Sequence, residues 1–384
     1  MKNIVLFDRD DIRGALLPLT FTRPVAMIRF GILTQMEKWQ RALPDADFSP
    51  LTADYLSTKY PATLTGDDYY IAAHLCPEPS FIEAVADLAE GHALADGSGA
   101  LLAWHGKPET VETYGGAFPL HFAAVTDIFM KNGQAVEADF SALTTGRVSQ
   151  PLSETNRVVG DPGRVFVEEG ATVECANLNT THGPIYIGRD AEVMEGACLR
   201  GPIGMCEHSV VNMGGKIYGA TTLGPYCKVG GELNNVVMTG YSNKAHDGFL
   251  GNAVIGEWCN LGAGCTASNL KNTYGPVRVW SYATKSFTRT SLQFCGLIMG
   301  DHSKAGINTM FNTATVVGVG VNFYGAGFPR TFIPSFMQGS VAGMDPVPME
   351  RFYDTAERMM ARRHVPLTDE DKAILQHIRD NEGC

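Results

Sequence analysis

Between positions 165 and 328, small and apolar residues recur every six positions. The pattern is cleanest at Met299-Gly300, Ala305-Gly306, Phe311-Asn312, Val317-Gly318 and Phe323-Tyr324. Each pair opens a unit, and four places further on stands another small or apolar residue: Ser303, Thr309, Thr315, Val321 and Gly327. Such a period matches neither the helical repeat nor the alternation of an ordinary strand. It predicts a parallel β-solenoid in which each hexapeptide supplies one short strand and one turn, and three make a triangular coil. The first residue of a unit then packs inside the prism. The second turns the corner, where Gly or Asn fits at little steric cost. Earlier units fall at 167–172, 187–192, 193–198, 223–228, 255–260 and 261–266, and the repeat breaks around 239–249 and 269–290. Loops that leave a regular scaffold are where binding groups are usually mounted.

The flanks are patterned differently. Residues 1–150 read as an α/β domain, with an apolar strand at 4–7, a helix at 31–41 and helical periodicity at 80–90. A polar, Pro-containing stretch at 149–155 marks the boundary, so the solenoid is expected over 155–340. In the tail, 345–384, Met349, Phe352, Tyr353, Ala356 and Met359-Met360 form one apolar helical stripe. After Pro366, Thr368 and Asp371 are spaced like a capping box that opens a second helix. Both helices are expected to pack on a neighbouring surface or subunit, with a lid as the alternative.

Composition narrows the partners. A chain of 384 residues exceeds one typical core. Its 45% apolar and 18% charged residues describe a soluble protein, and 42 glycines suit a turn-rich solenoid. The net charge of −11 argues against a nucleic-acid partner, although basic pockets can still hold anionic ligands. The N-terminus becomes charged too early for a signal peptide, and no apolar run has the length of a membrane span, so a cytoplasmic protein is expected. The nine cysteines form no CxxC, and nothing resembles a zinc site. Cys198, Cys227, Cys259 and Cys265 fall on small-residue positions and read as reduced filler.

Candidate chemistry gathers in the second half of the solenoid. His246 lies in the first break, which reads as a loop insertion, with Lys244 and Asp247 beside it. A neutral imidazole there could take a proton from an attacking amine; a surface histidine bonded to a neighbour is the other reading. Asn269 follows a Gly-Ala-Gly turn and is either an orienting hydrogen-bond group or an ordinary turn residue. Lys271 and Arg278, in the second break, could meet a phosphate or lie solvated.

The run His246-Asp247-Gly248-Phe249-Leu250-Gly251-Asn252-Ala253, followed in register by Asn260-Leu261-Gly262-Ala263-Gly264 and Asn269-Leu270, resembles the acetyltransferase domain of the bifunctional N-acetylglucosamine-1-phosphate uridyltransferase/glucosamine-1-phosphate acetyltransferases. It is also similar to archaeal sugar-1-phosphate nucleotidyltransferases that carry such a solenoid. The resemblance covers roughly residues 225–330 and implies a left-handed parallel β-helix that works as a homotrimer, with sites in the grooves between prisms. It implies that His246 is the general base toward the 2-amino group of glucosamine 1-phosphate, that acetyl-CoA is the donor, and that Asn269 holds the sugar. Lys244, Phe249 and Lys271 stand as further substrate contacts. Two positions depart from the family: Phe249 stands where Tyr is more frequent, and Asn234 where a basic residue is common.

At the other end, Arg13-Gly14-Ala15-Leu16-Leu17-Pro18-Leu19-Thr20-Phe21-Thr22-Arg23-Pro24 resembles the signature loop of sugar-nucleotide pyrophosphorylases. In that loop, backbone N–H groups approach nucleotide phosphates and basic side chains offset charge on the reacting oxygens. The loop is degenerate here, since Asp8-Arg9-Asp10-Asp11 stands where glycines are expected and Val25 replaces a usual Lys. The resemblance implies a nucleoside triphosphate substrate, Arg13 and Arg23 as phosphate contacts, and Mg²⁺ with no ligand singled out. Asp67 reads as a turn residue rather than a metal ligand. Two alternatives are a nucleotidyltransferase with a non-catalytic, trimerising solenoid, and a non-enzymatic sugar-nucleotide-binding scaffold.

Overall fold

The computed structural model describes residues 1–381. Two compact units emerge from the contacts: 1–16, 22–28 and 33–124 form the first, while 17–21, 29–32 and the chain from 125 onward form the second. In the first unit, strands β1 (Asn3–Phe7), β2 (Asp47–Leu51), β3 (Asp68–Ala72), β4 (His92–Ala95), β5 (Leu101–His105) and β6 (Thr110–Thr113) make one sheet in the order β2-β1-β3-β5-β4-β6. β1 runs parallel to β2 and β3, and β5 runs antiparallel to β3 and β4. The near-continuous apolar run of β1 is that of a strand covered on both faces.

Helices α1 (Asp10–Ala15), α2 (Gln35–Ala42), α3 (Asp54–Ser57) and α4 (Pro79–Ala86) complete this unit. The helix expected from residue 31 begins later because Thr34 caps it. Thr34 Oγ1 accepts from Glu37 N at 3.2 Å, and the Glu37 carboxylate accepts from Thr34 N at 2.7 Å. Trp39 then lies fully buried, its indole N–H donating to Leu75 O at 2.8 Å.

The second unit is a parallel solenoid with three faces. Strands such as Val165–Val167, Ile185–Ile187 and Ile203–Met205 stack on the first face. Thr172–Val173, Glu192–Val193 and Val210–Val211 begin the second, and Asn177–Asn179, Cys198–Arg200 and Lys216–Tyr218 lie on the third. Met299, Ala305, Phe311, Val317 and Phe323 all belong to one continuous core, as the six-residue pattern requires. Cys227, Cys259 and Cys265 are in it too, whereas Cys198 is exposed, pointing outward from the third face. Filler is therefore the wrong reading for that one cysteine.

Coil length explains the two breaks differently. On the second face Glu192 pairs with Val210 and Val210 with Lys228, eighteen residues apart each time. Lys228 then pairs with Asn243, fifteen residues on, and Asn243 with Asn260, seventeen on. The first break is thus not an insertion. The coil that leads into it is short between Val229 and Val237, so the six-residue phase slips, and Asn243–Lys244 is a regular second-face strand. The second break is a true insertion: Asn260 pairs with Lys304, forty-four residues on, and the excess contains a hairpin of Arg278–Ser281 with Ser286–Arg289.

Helices α5 (Val125–Met130) and α6 (Asn132–Thr144) pack on the first face, so residues 125–144 cluster with the solenoid even though the composition boundary falls near 150. Residues 29–32 join them. Ile32 N donates to the Asp139 carboxylate at 2.8 Å, Gly31 N to Asn132 Oδ1 at 3.0 Å, and the Arg29 guanidinium to Thr239 O at 3.1 Å. The tail forms α7 (Met349–Ala361) and α8 (Asp369–Asn381), the latter opened by the expected exchange between Thr368 and Asp371. Helix α7 lies against the solenoid itself, with Phe352 edge-on to Phe336 at 5.2 Å and to His302 at 5.7 Å.

Candidate active site on the second face of the solenoid

His246 stands at the turn between the second-face strand Asn243–Lys244 and the strand Phe249–Glu257, whose first residues lie on the third face. Its side chain is exposed, and two neighbours fix its backbone. Gly248 takes φ +124, and a Cβ there would sit 2.0 Å from Cys265 O, so this position of the motif admits only glycine. Lys244 provides the other restraint. It occupies the interior column that Val193, Val211 and Val229 build in the coils before it, and is 1% exposed. Its ammonium donates to the carbonyls of Gly230, at 3.1 Å, and His246. Burial pushes its pKa down, partly offset by Cys265 and Asp247. A buried ammonium cannot meet a substrate, so Lys244 acts by holding the His246 carbonyl rather than by the contact expected of it.

His246 borders an open cleft of about 410 Å³, within the range of small-molecule sites. Lys228, Asn243 and Asn260 line it from the second face, and Arg362 and Arg363, just beyond α7, line it from the tail. Tyr241 and Trp258 form its aromatic side.

These two rings belong to a ladder, His208, Tyr226, Tyr241, Trp258 and His302, stacked with centroids 4.5, 5.4, 4.2 and 6.3 Å apart. All five residues take positive φ, between 53° and 59°. A left-handed residue with a side chain costs about 1–2 kcal/mol. Ring stacking returns about 0.5–1.5 kcal/mol per pair on top of the apolar area removed from water, enough to hold the corner. Of these cleft residues the sequence offers His246 as a candidate base and Asn260 as part of the motif in register with it, but gives no role to Lys228, Tyr241, Trp258, Arg362 or Arg363. The signal was present as aromatic residues recurring at coil spacing, but the short coils put it out of phase.

Asn269 lies at the far edge of the third face. Its Nδ2 donates to Asn252 Oδ1 at 2.8 Å, and the Asn252 amide in turn donates to Asn235 at 2.9 Å. A Cβ on Gly251 would meet Asn269 Nδ2 at 2.7 Å and the Phe249 ring at 2.6 Å, so Phe249 and Asn269 are brought together there. Asn269 stands across the third face from His246, and the Phe249 ring reaches toward it from the start of the strand between them. Lys271 sits in the insertion and donates to Pro276 O at 2.6 Å.

In the first unit, Asp8, Arg9, Thr52 and His74 follow the carboxyl ends of β1, β2 and β3, the edge where open α/β sheets bind ligands. The Asp8 side chain is 2% exposed and accepts from Val25 N at 2.9 Å and Thr52 Oγ1 at 2.6 Å. Burial raises its pKa from 3.8 to about 6 against those hydrogen bonds. Arg13 Nε lies 3.9 Å from it, with the guanidinium over the Tyr55 ring, while Arg23 is 6% exposed. Asp67 is exposed and pairs with His105 at 2.7 Å. No group of three or more His, Cys, Asp or Glu among the described residues could hold a metal ion.

Residues 4–148 match the sugar nucleotidyl transferase family, a family of transferases. The chain is similar to the bifunctional protein GlmU of Methanocaldococcus jannaschii, 37% identical over 73 residues. That match covers 19% of this chain and 17% of the relative's length. Among solved structures, it is similar to the UDP-N-acetylglucosamine acyltransferase of Francisella novicida, at 11% identity over 59% of this chain and 76% of that one, with a TM-score of 0.30. It is similar also to the Arabidopsis enzyme of that name, at 13% identity over 60% and 90%, with a TM-score of 0.24. No helix among the described residues is long and apolar enough to cross a membrane.

Proposed function

We propose that this chain is a two-activity transferase of sugar-nucleotide synthesis. The solenoid transfers acetyl from acetyl-CoA to the 2-amino group of glucosamine 1-phosphate, and the N-terminal segment couples the sugar 1-phosphate to a nucleotide with loss of pyrophosphate. The observation that carries the first half is His246, held at its backbone and open to a cleft of substrate size. The family match over 4–148 supports the second half.

In the acyl transfer, the amine nitrogen attacks the thioester carbonyl. His246 accepts the amine proton, and the C–S bond breaks to release the thiol of coenzyme A. Asn269 is read as a contact to the sugar. Since it stands across the third face from His246, we place the complete site in a groove between copies of a homotrimer, where His246 of one chain meets Asn269 of the partner subunit. In the nucleotidyl transfer, Arg13 at the carboxyl edge of the sheet offsets charge on the nucleotide phosphates. Mg²⁺, where present, would supply the rest of that neutralisation.

Thiol release from acetyl-CoA with glucosamine 1-phosphate, wild type beside His246→Ala, tests the first half. The variant is expected to lose about 10²–10⁴ in rate. Absence of sugar-dependent thiol release by wild type would overturn it, leaving UTP-dependent pyrophosphate release as the test of the second half.

A further inference from the structure

In a chain of net charge −11, three cations meet in the His246 cleft without an acidic partner. Lys228 lines it from the second face, and Arg362 and Arg363 line it from the end of α7. Among the described residues none of the three enters a salt bridge. The nearby helical pairs, by contrast, are matched: Arg358 with Asp354 at 3.3 Å and Lys372 with Glu357 at 2.7 Å. Arg363 is steadied by its guanidinium lying 5.9 Å from the centre of the Tyr226 ring. Like charges gathered at one cleft raise the potential there and lower the free energy of a bound anion. A guanidinium pair is suited to the paired oxygens of a phosphate.

We infer that Lys228, Arg362 and Arg363 form a phosphate-binding site that the C-terminal helix completes over the cleft bordered by His246. This rests on reading that cleft as the acyl-transfer site, and it gives the tail a role in substrate binding. The ligand is a phosphorylated small molecule whose reactive end reaches His246 while its phosphate lies beneath the two arginines. Two sources share that chemistry, the phosphates of coenzyme A and the phosphate of the amino sugar.

The test is calorimetric binding to the full chain at low ionic strength. The probes are coenzyme A, glucosamine 1-phosphate, and their phosphate-free counterparts pantetheine and glucosamine. R362A/R363A and, separately, K228A are compared with wild type, and R358A on the same helix serves as control. The double variant is expected to weaken the phosphorylated ligand about 10–100-fold, as befits lost charge-assisted hydrogen bonds, while its phosphate-free counterpart binds as before. Loss for coenzyme A alone assigns the site to the cofactor's phosphates, and loss for glucosamine 1-phosphate alone assigns it to the sugar. Unchanged binding of both in R362A/R363A and in K228A, with unchanged circular dichroism, overturns the inference, as does a wild type that binds neither. Arginine-dependent binding without thiol release would remove the acyl-transfer reading and leave the phosphate site standing.

Discussion

Lys244 and Asp8 are both buried ionisable groups, and their surroundings assign them different tasks. Lys244 replaces a valine in an interior column and meets two carbonyls, so its charge is offset locally and fixes the turn that carries His246. In sequence it stood two places from a candidate base and read as a substrate contact; only the coil register shows that it points inward. Asp8 is buried with its carboxyl raised from 3.8 to about 6. The folded chain therefore holds this proton more tightly than the unfolded chain does. The stability it contributes is full below about pH 4 and falls as pH rises through 4 to 6, by at most about 3 kcal/mol. Asp8→Asn should flatten that decline while keeping an acceptor for Val25 N–H. Urea unfolding of both proteins between pH 4 and 7 measures it, and a variant with the wild-type slope would overturn the assignment.

At the scale of elements, the α7 stripe of Phe352, Ala356 and Met360 was readable from helical spacing alone, and all three are buried. Its contact surface was not readable, because the ladder it lies along is assembled from residues of successive coils. Phe352 touches both Phe336 and His302, so Phe352→Ala should cost about 3–5 kcal/mol of local stability. Hydrogen exchange would then show the amides of α7 opening at least about 10²-fold faster while those of the solenoid strands stay protected. Equal acceleration throughout would mean that the helix and the coils unfold as one unit. The insertion at 269–290 was also legible as a departure from the repeat, and it is one. The break at 239–249 was legible as a departure but not as the result of a shortened coil just before it, since a shortened coil and an added loop disturb the six-residue phase alike.

For the whole molecule, assembly is the decisive prediction. The third face carries outward-pointing Cys198, Arg200 and Lys216, all exposed, whereas Val237 and Val254 on the first face are buried beneath α5. With His246 and Asn269 on opposite edges of that third face, a site that uses both needs a second copy. Sedimentation is expected to show three chains per particle. Co-expressed His246→Ala and Asn269→Ala chains are expected to recover acyl transfer that neither variant has alone. A single-chain particle that turns over would place the whole site within one chain.

The amino-acid sequence by itself determined the solenoid, its interior column and the two tail helices. Each rests on a local periodicity, and an apolar residue seeks the dry interior whatever the length of its coil. It also picked out the motif around His246, because that turn needs Gly248. The tertiary structure alone decided which side chains share a cleft. Lys228, His246, Arg362 and Arg363 meet because coils of fifteen and seventeen residues reset the register and a helix more than a hundred positions away docks along the same face. Those two lengths and that docking follow from closure and packing of the whole coil stack, so no local window of the chain contains them.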